Sequence, residues 1–346
     1  MALPSHTDRF PAQGRAAAAA LACGLLLSAC GGGGGDTPPP STVAQLSQAD
    51  ATAYAANASS SGESTASAVD SVIDTTAGLA TAVAQPGGVA SSDRMHALAA
   101  PGTVPVIGVT VACAGGGTAT LSITGGTLSS QLNGQLDAGE HYSVVFAQCT
   151  GGSGSAQLNG GVEMDVVSAD RSASPATLAV NLTITNLALA LPSGTATLAG
   201  TATASRSVVT TNGTTTSTTH VTVPSATLAT AFNGRSATLT LSDLDATRTV
   251  TSVDGVASAP QYSGHYTLTG TADGRTLSLN VATTGSANYD ANGALVSGSW
   301  TVVRPDDTIV TTVANGIVVM TVDDGNDGTI DHTWTFPAAL LDAAAG

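Results

Sequence analysis

Asp323, Asp327 and Asp331 recur every four residues in a stretch reading Asp-Asp-Gly-Asn-Asp-Gly-Thr-Ile-Asp. Short carboxylates at that density could surround a hard cation such as calcium. Against a D-x-D-x-D-G-x-x-D spacing, Asp323, Asp327, Gly328 and Asp331 fit. Gly325 stands where an early oxygen ligand belongs, and Trp334 occupies the place of the bidentate acid that closes an EF-hand loop. Residues 317–322 and 330–336 on either side read as strands. A hairpin with an acidic, glycine-rich turn therefore accounts for the same residues.

Other candidate chemistry is sparser. His96, His141, His220, His265 and His332 show no HxH or HExxH spacing. Serine is abundant, yet Gly151-Gly152-Ser153-Gly154-Ser155 misses the final glycine of a nucleophile elbow. Gly115-Gly116-Gly117 lacks the spacing and following helix of a dinucleotide site and reads as a turn. Asp243 and Asp245 would share one face of a strand, near Arg248, but no partner group for acid–base work accompanies them. All nine basic residues are arginines. Schiff-base chemistry, a Walker-type phosphate lysine and Ser–Lys hydrolysis are excluded, because each needs an amine the chain does not have. No catalysis is expected.

Two cysteines have a structural reading. Cys113 and Cys149 form an even pair once Cys23 and Cys30 are assigned to the leader region described next, and in an exported chain such a pair argues for a disulfide. A redox or metal role would need a CxxC or a clear partner, and only His141 lies near Cys149 in sequence.

Residues 1–29 carry Arg9 and Arg15, then an apolar stretch from Ala16 to Leu27 that is too short to span a bilayer, which takes about 20 helical residues. The stretch closes on Leu27-Ser28-Ala29-Cys30, which resembles the lipobox of bacterial lipoprotein signal peptides. The resemblance implies export, cleavage before Cys30 and attachment to a membrane through acyl chains on that cysteine. Gly31, rather than an aspartate, follows Cys30, which in those lipoproteins points to the outer membrane. Residues 30–42, with Gly31 to Gly35 and Pro38 to Pro40, then form a tether that cannot build a core. The body resembles uncharacterised exported β-rich lipoproteins through Cys113 to Gly117, Phe146 to Cys149 and Leu158 to Gly160, a likeness that implies no activity.

The formal net charge is −15, and loss of Arg9, Arg15 and Asp8 with the leader makes it −16. An acidic chain without lysine repels phosphate backbones, so nucleic-acid binding is not expected, nor is a polybasic membrane patch. Charged residues make up 10% of the chain against about 25% in an average domain. Thr, Ser, Gly and Asn must do the solvating instead, as suits strands with hydroxyl-bearing outer faces.

Two patterns position these groups. Within residues 43–88, Val69, Val72, Ile73, Thr76, Leu79, Ala80 and Val83 fall on one helical face and predict a helix over roughly 64–84, with a shorter one near 43–56 and a weak Ser/Gly-rich stretch from Ser59 to Thr65 between them. Residues 101–346 alternate with period two, as in Leu178, Val180, Leu182 and Ile184 or Val318, Met320 and Val322. Such runs predict half-buried antiparallel strands. Asn212-Gly213, Asn233-Gly234, Asp254-Gly255, Asp273-Gly274 and Asn292-Gly293 supply tight turns between them. Asn233-Gly234-Arg235-Ser236 and Asp273-Gly274-Arg275-Thr276 look alike and read as two hairpins built from the same turn chemistry. The expectation is a mainly β domain, about 14–17 antiparallel strands in a sandwich, barrel or half-barrel, with an N-terminal helical segment. Aromatics at 3% argue against a transmembrane barrel.

Three functional expectations follow. The first is a lipid-anchored envelope protein with a structural or interaction role. The second is a carrier for an apolar ligand held in a curved sheet, and the third a calcium-stabilised, adhesin-like surface module.

Overall fold

The computed structural model describes residues 45–84, 107–113, 115–150, 157–191, 194–232, 235–253, 256–257, 260–272, 274–290 and 294–344. The leader, Cys30 and the tether lie outside these residues, as do His96, the Gly151–Ser155 stretch and parts of several expected turns.

Alternation in the sequence becomes one antiparallel sheet. Strands β1 to β8 and β10 to β15 follow one another in chain order, each paired with the next, β4 at Gln157–Asp170 and β11 at Arg275–Tyr289 among them, while the two-residue β9 (Val256–Ala257) pairs off the path with β8. The sheet begins at β1 (Ile107–Ala112) and ends at β15 (His332–Pro337) without the two pairing, so it is open. Its middle strands are long: β6 (Gly194–Thr211) has 18 residues, and β7 (Thr214–Phe232) and β8 (Arg235–Val253) have 19 each. Asn212-Gly213 turns β6 into β7 with both residues at positive φ, 51° and 77°. Asn315-Gly316 does the same between β13 (Asp307–Ala314) and β14 (Ile317–Asp324), at 53° and 73°.

These strands bend. Register shifts occur at Phe146/Cys149 in β3 (Glu140–Thr150), Ile184/Leu187 in β5 (Ala176–Leu191), Thr201/Thr203 in β6 and His265/Thr267 in β10 (Gln261–Ala272). Gln148, Asn186 and Asp243 take positive φ beside them. Each bulge inserts an extra residue and turns its strand more sharply. At Gly160, with φ of 106°, the next strand passes so close that a Cβ would sit 2.3 Å from the Asn186 carbonyl oxygen.

The inner face closes on one 37-residue helix, α1 (Gln48–Ala84). Its buried stripe runs Ala51, Ala55, Ala58, Gly62, Ala66, Val69, Ile73, Thr76 and Ala80, at steps of three and four. The two separate helices expected from the sequence are thus continuous through Ser59 to Thr65. Hydroxyls that would compete with a helix in water bond back to its own carbonyls, Ser61 to Asn57 and Thr65 to Ser61, and burial under the sheet supplies the rest of the stability. Residues from α1 and from nearly every strand, Val109 in β1 to Phe336 in β15, form one apolar core. The C-terminal α3 (Ala338–Ala344) packs on α1, with Leu341 fully buried. A four-residue helix, α2 (Leu128–Gln131), interrupts the connection between β2 (Thr118–Gly125) and β3.

The outer face carries hydroxyl pairs across neighbouring strands, such as Thr203 with Thr222 at 2.6 Å and Thr284 with Ser299 at 2.7 Å. That arrangement is how a surface with so few charges is solvated.

Candidate functional site

Helix α1 is held to one side of the trough. It packs on β7, β8, β10, β12 (Leu295–Val303), β13 and α3. Three ring donors on the sheet reach its carbonyls: Trp300 Nε1 donates to Ala55 at 3.0 Å, Tyr266 to Ala58 at 2.8 Å and Tyr289 to Ser59 at 3.2 Å. The alanine stripe allows this approach because it puts no bulk between backbone and sheet. At Gly62 even a methyl is too much, since a Cβ would stand 2.1 Å from the Tyr262 hydroxyl oxygen. That hydroxyl is buried without a hydrogen-bond partner, and burial and the nearby Glu63 push its pKa up.

Further along, the helix is clasped by charge. Arg206 on β6 meets Asp70 at 2.7 Å and Asp74 at 2.6 Å. Arg248 on β8 meets the other Asp70 oxygen at 2.9 Å and Glu63 at 3.1 Å. Thr219 also donates to Asp70 at 2.6 Å. The two guanidiniums and the Asp70 and Glu63 carboxylates are each less than a fifth exposed. Such a set fixes orientation more than it adds stability.

A second flank of the helix, bearing Ser61, Thr65, Ala68 and Val72, borders open space. Between it and the inner faces of β3 to β8 and β10 lies a cavity of about 300 Å³. Nine leucines line it, Leu187, Leu198, Leu228 and Leu241 among them, and no charged residue does. The helix wall is less polar than its composition suggests. Of its hydroxyl residues, Ser61, Thr65, Ser71 and Thr76 each donate back to a helix carbonyl, which turns the polar atoms away from solvent-like roles. Leu158, Ile184, Leu187, Leu198, Leu228 and Leu241 are only half-buried although they face the interior. Aliphatic side chains around space of this size make a site for an apolar ligand.

The other sequence candidates fall elsewhere. Cys113 and Cys149 form the disulfide, with Cα atoms 5.4 Å apart, joining the end of β1 to β3 at the rim of the sheet. The acidic stretch is a hairpin turn between β14 and β15. The Asp323 carboxylate accepts from the backbone N–H of Asp327 and Gly328, Asp327 caps Thr329, and Asp331 accepts from the N–H of Asp324. The hydrogen bonds from Thr329 draw the Asp327 pKa down. Among the described residues no cluster of three His, Cys, Asp or Glu is placed to hold a metal ion.

Histidine–carboxylate pairs do occur, at His141–Asp165 (2.7 Å), His220–Asp245 (3.0 Å) and His332–Asp324 (3.2 Å). Asp165 and Asp245 alternate with buried Met164, Val166, Leu244 and Ala246, so the first two pairs sit on the outer face, in solvent rather than in a cleft. Asp243 lies at a bulge with φ of 54°, which breaks the strand geometry that would have aligned it with Asp245.

No family model, curated protein or solved structure matches the chain. Its function must be read from its own geometry.

Sequence reasoning missed the clasp, and although it raised an apolar ligand in a curved sheet as its second expectation, it assigned no residues to the cavity. The clasp had a signal: Glu63, Asp70 and Asp74 are acids in a helix otherwise poor in charge, and Arg206 and Arg248 are two of only nine arginines. The cavity had none, because an inward leucine reads alike whether it packs against another side chain or against space.

Proposed function

We propose that this protein binds an apolar ligand in the cavity between α1 and the inner sheet, and does so outside the cytosol, held to a membrane through acyl chains on Cys30. The charge-free, leucine-lined space beside the helix carries the reading. A passive scaffold gives no reason for such a cavity, since filling it would stabilise the fold by about 24 cal/mol per Å³. The resemblance of Leu27–Cys30 to a lipobox and the disulfide of Cys113 and Cys149 support the exported location.

The test is the full chain purified gently from membranes, with its organic extract read by mass spectrometry. The expected result is a stoichiometric apolar compound that is absent from the extract of Leu198→Trp, a variant that fills the cavity from the sheet side. Equal extracts from both proteins would overturn the reading. Mass analysis of the N-terminal peptide tests the anchor, and an unmodified Cys30 thiol on an uncut chain would remove it.

A further inference from the structure

A line of bulges divides the inner face into two halves. Thr201 is in register with Ser225, Ser225 with Ser242 and Ser242 with Thr267, and the β5–β6, β6–β7 and β8–β10 ladders all shift beside that row. On one side of it Arg206, Thr219 and Arg248 hold α1. On the other, Leu198, Leu228 and Leu241 line the cavity.

Helix α1 runs along this line and across the strands. Its contacts pass from Trp300 of β12 at Ala55 to Arg248 of β8 at Glu63, then to Thr219 of β7 at Asp70 and Arg206 of β6 at Asp74. The cavity beside it is accordingly long in one direction. On the helix it borders a single stripe, Ser61, Thr65, Ala68, Val72 and Thr75, at steps of three and four. At 1.5 Å per residue that stripe is about 21 Å long. On the sheet the lining passes from β3 to β10, six strand spacings or about 29 Å around a curved face.

Length and volume together limit the ligand. Spread along the stripe, about 300 Å³ has the width of one aliphatic chain, too narrow for two chains or a fused ring system. An extended chain built on bonds of about 1.5 Å advances about 1.25 Å per carbon, so the stripe matches about 16 carbons. Charge limits it further. No described residue lining the space is charged, and the neighbouring Glu63, Asp70, Arg206 and Arg248 are paired with one another. An ion drawn inside would lose its hydration and meet no opposite charge.

We infer that the ligand is a single unbranched aliphatic chain without a charged group, lying extended beside α1. This rests on the apolar-ligand reading above and adds the class of ligand to it. The experiment uses the full chain, stripped of extractable lipid, and measures retention of radiolabelled 1-dodecanol through gel filtration. Competitors delivered from cyclodextrin are the straight 1-alkanols from octanol to eicosanol, laurate, dodecyltrimethylammonium and a four-ring sterol. Each added carbon is expected to tighten alkanol binding up to about fourfold, levelling off near about 16 carbons. Laurate and dodecyltrimethylammonium are each expected to bind at least about tenfold more weakly than 1-dodecanol, and the sterol not to compete.

Plugs placed along the stripe give a readout that general destabilisation would not. Ala68→Trp, midway along, is expected to bring the levelling-off down to about 8 carbons with octanol unchanged, and Val72→Trp, nearer one end, to about 12. Competition by the sterol, affinity that ignores chain length, or a levelling-off that neither plug moves overturns the single-chain assignment while the cavity reading stands. Either ion matching dodecanol overturns the uncharged assignment. Failure of the parent to retain dodecanol or to bind any competitor overturns the cavity reading itself.

Discussion

Arg206 crosses from the sheet to the helix, where its Nη2 lies 2.7 Å from Asp70 Oδ1, and Arg248 approaches the other oxygen of the same carboxylate. One aspartate thus anchors two strands, β6 and β8, to the middle of α1, while the helix flank beside it faces the cavity. Asp70 sits between Val69 and Ser71, both of which line that space.

Removing that carboxylate leaves two guanidiniums short of their shared partner. Asp70→Ala is expected to destabilise the fold by about 3 kcal/mol, the lower end for breaking a buried pair because the arginine heads still touch solvent. Asp74 is 67% exposed, and Asp74→Ala is expected to change stability by less than about 1 kcal/mol. Urea unfolding of both variants checks the contrast. Equal effects would mean that the clasp contributes only as surface charge.

The contact of Gly62 with Tyr262 inverts an ordinary helix rule. Alanine in a helix interior is normally better than glycine by about 1 kcal/mol. Here the added methyl would meet the Tyr262 ring and hydroxyl, so Gly62→Ala is expected to lower stability. Tyr262→Phe removes a buried hydroxyl that has no partner and is expected to be neutral or stabilising. In the double variant the cost of the alanine is expected to shrink, a coupling that a double-mutant cycle on thermal or urea unfolding measures.

Much of this architecture was legible because the chain alternates so regularly. Val180 with Leu182, and Val318 with Met320 and Val322, are inward as their period required. Helix α1 was legible only in its second half, where Val69 and Ile73 are large enough to register as an apolar face. Its first half docks through Ala51, Ala55 and Ala58, whose burial depends on a partner approaching closely, and no local pattern announces that partner. The bend in the strands was hidden for a related reason. Gln148, Asn186 and Asp243 leave extended geometry at positions where neither Asn-Gly nor Asp-Gly marks a turn.

The disulfide ties β3 to the residue that follows β1. With the cysteines 36 residues apart, closing the loop restricts the unfolded chain by about 3–4 kcal/mol on the chain-entropy account. Cys113→Ser with Cys149→Ser is expected to lose that much in urea unfolding. The same loss is expected of the parent protein in reductant. An unchanged midpoint would show that the β1–β3 corner unfolds separately from the rest of the sheet.

Asp307 carries the pH dependence whose sign is clearest. Its side chain is 6% exposed, and burial holds its pKa above the ordinary carboxylate range; Arg304 at 2.8 Å opposes the shift, while Asp324, its cross-strand partner, and Asp306 reinforce it. A carboxyl with a raised pKa binds its proton more tightly folded than unfolded. Its contribution to stability is full below the unfolded value near about 4 and is lost as pH rises through the folded one. Asp307→Asn keeps the shape and an acceptor for Arg304 but removes the titration. Relative to the parent, the variant is expected to gain stability as pH is raised from about 4 toward neutrality, and to match it below that range. Urea midpoints of the two proteins across that window provide the check. A parent that instead gains on the variant with rising pH would show that the Arg304 pair outweighs burial.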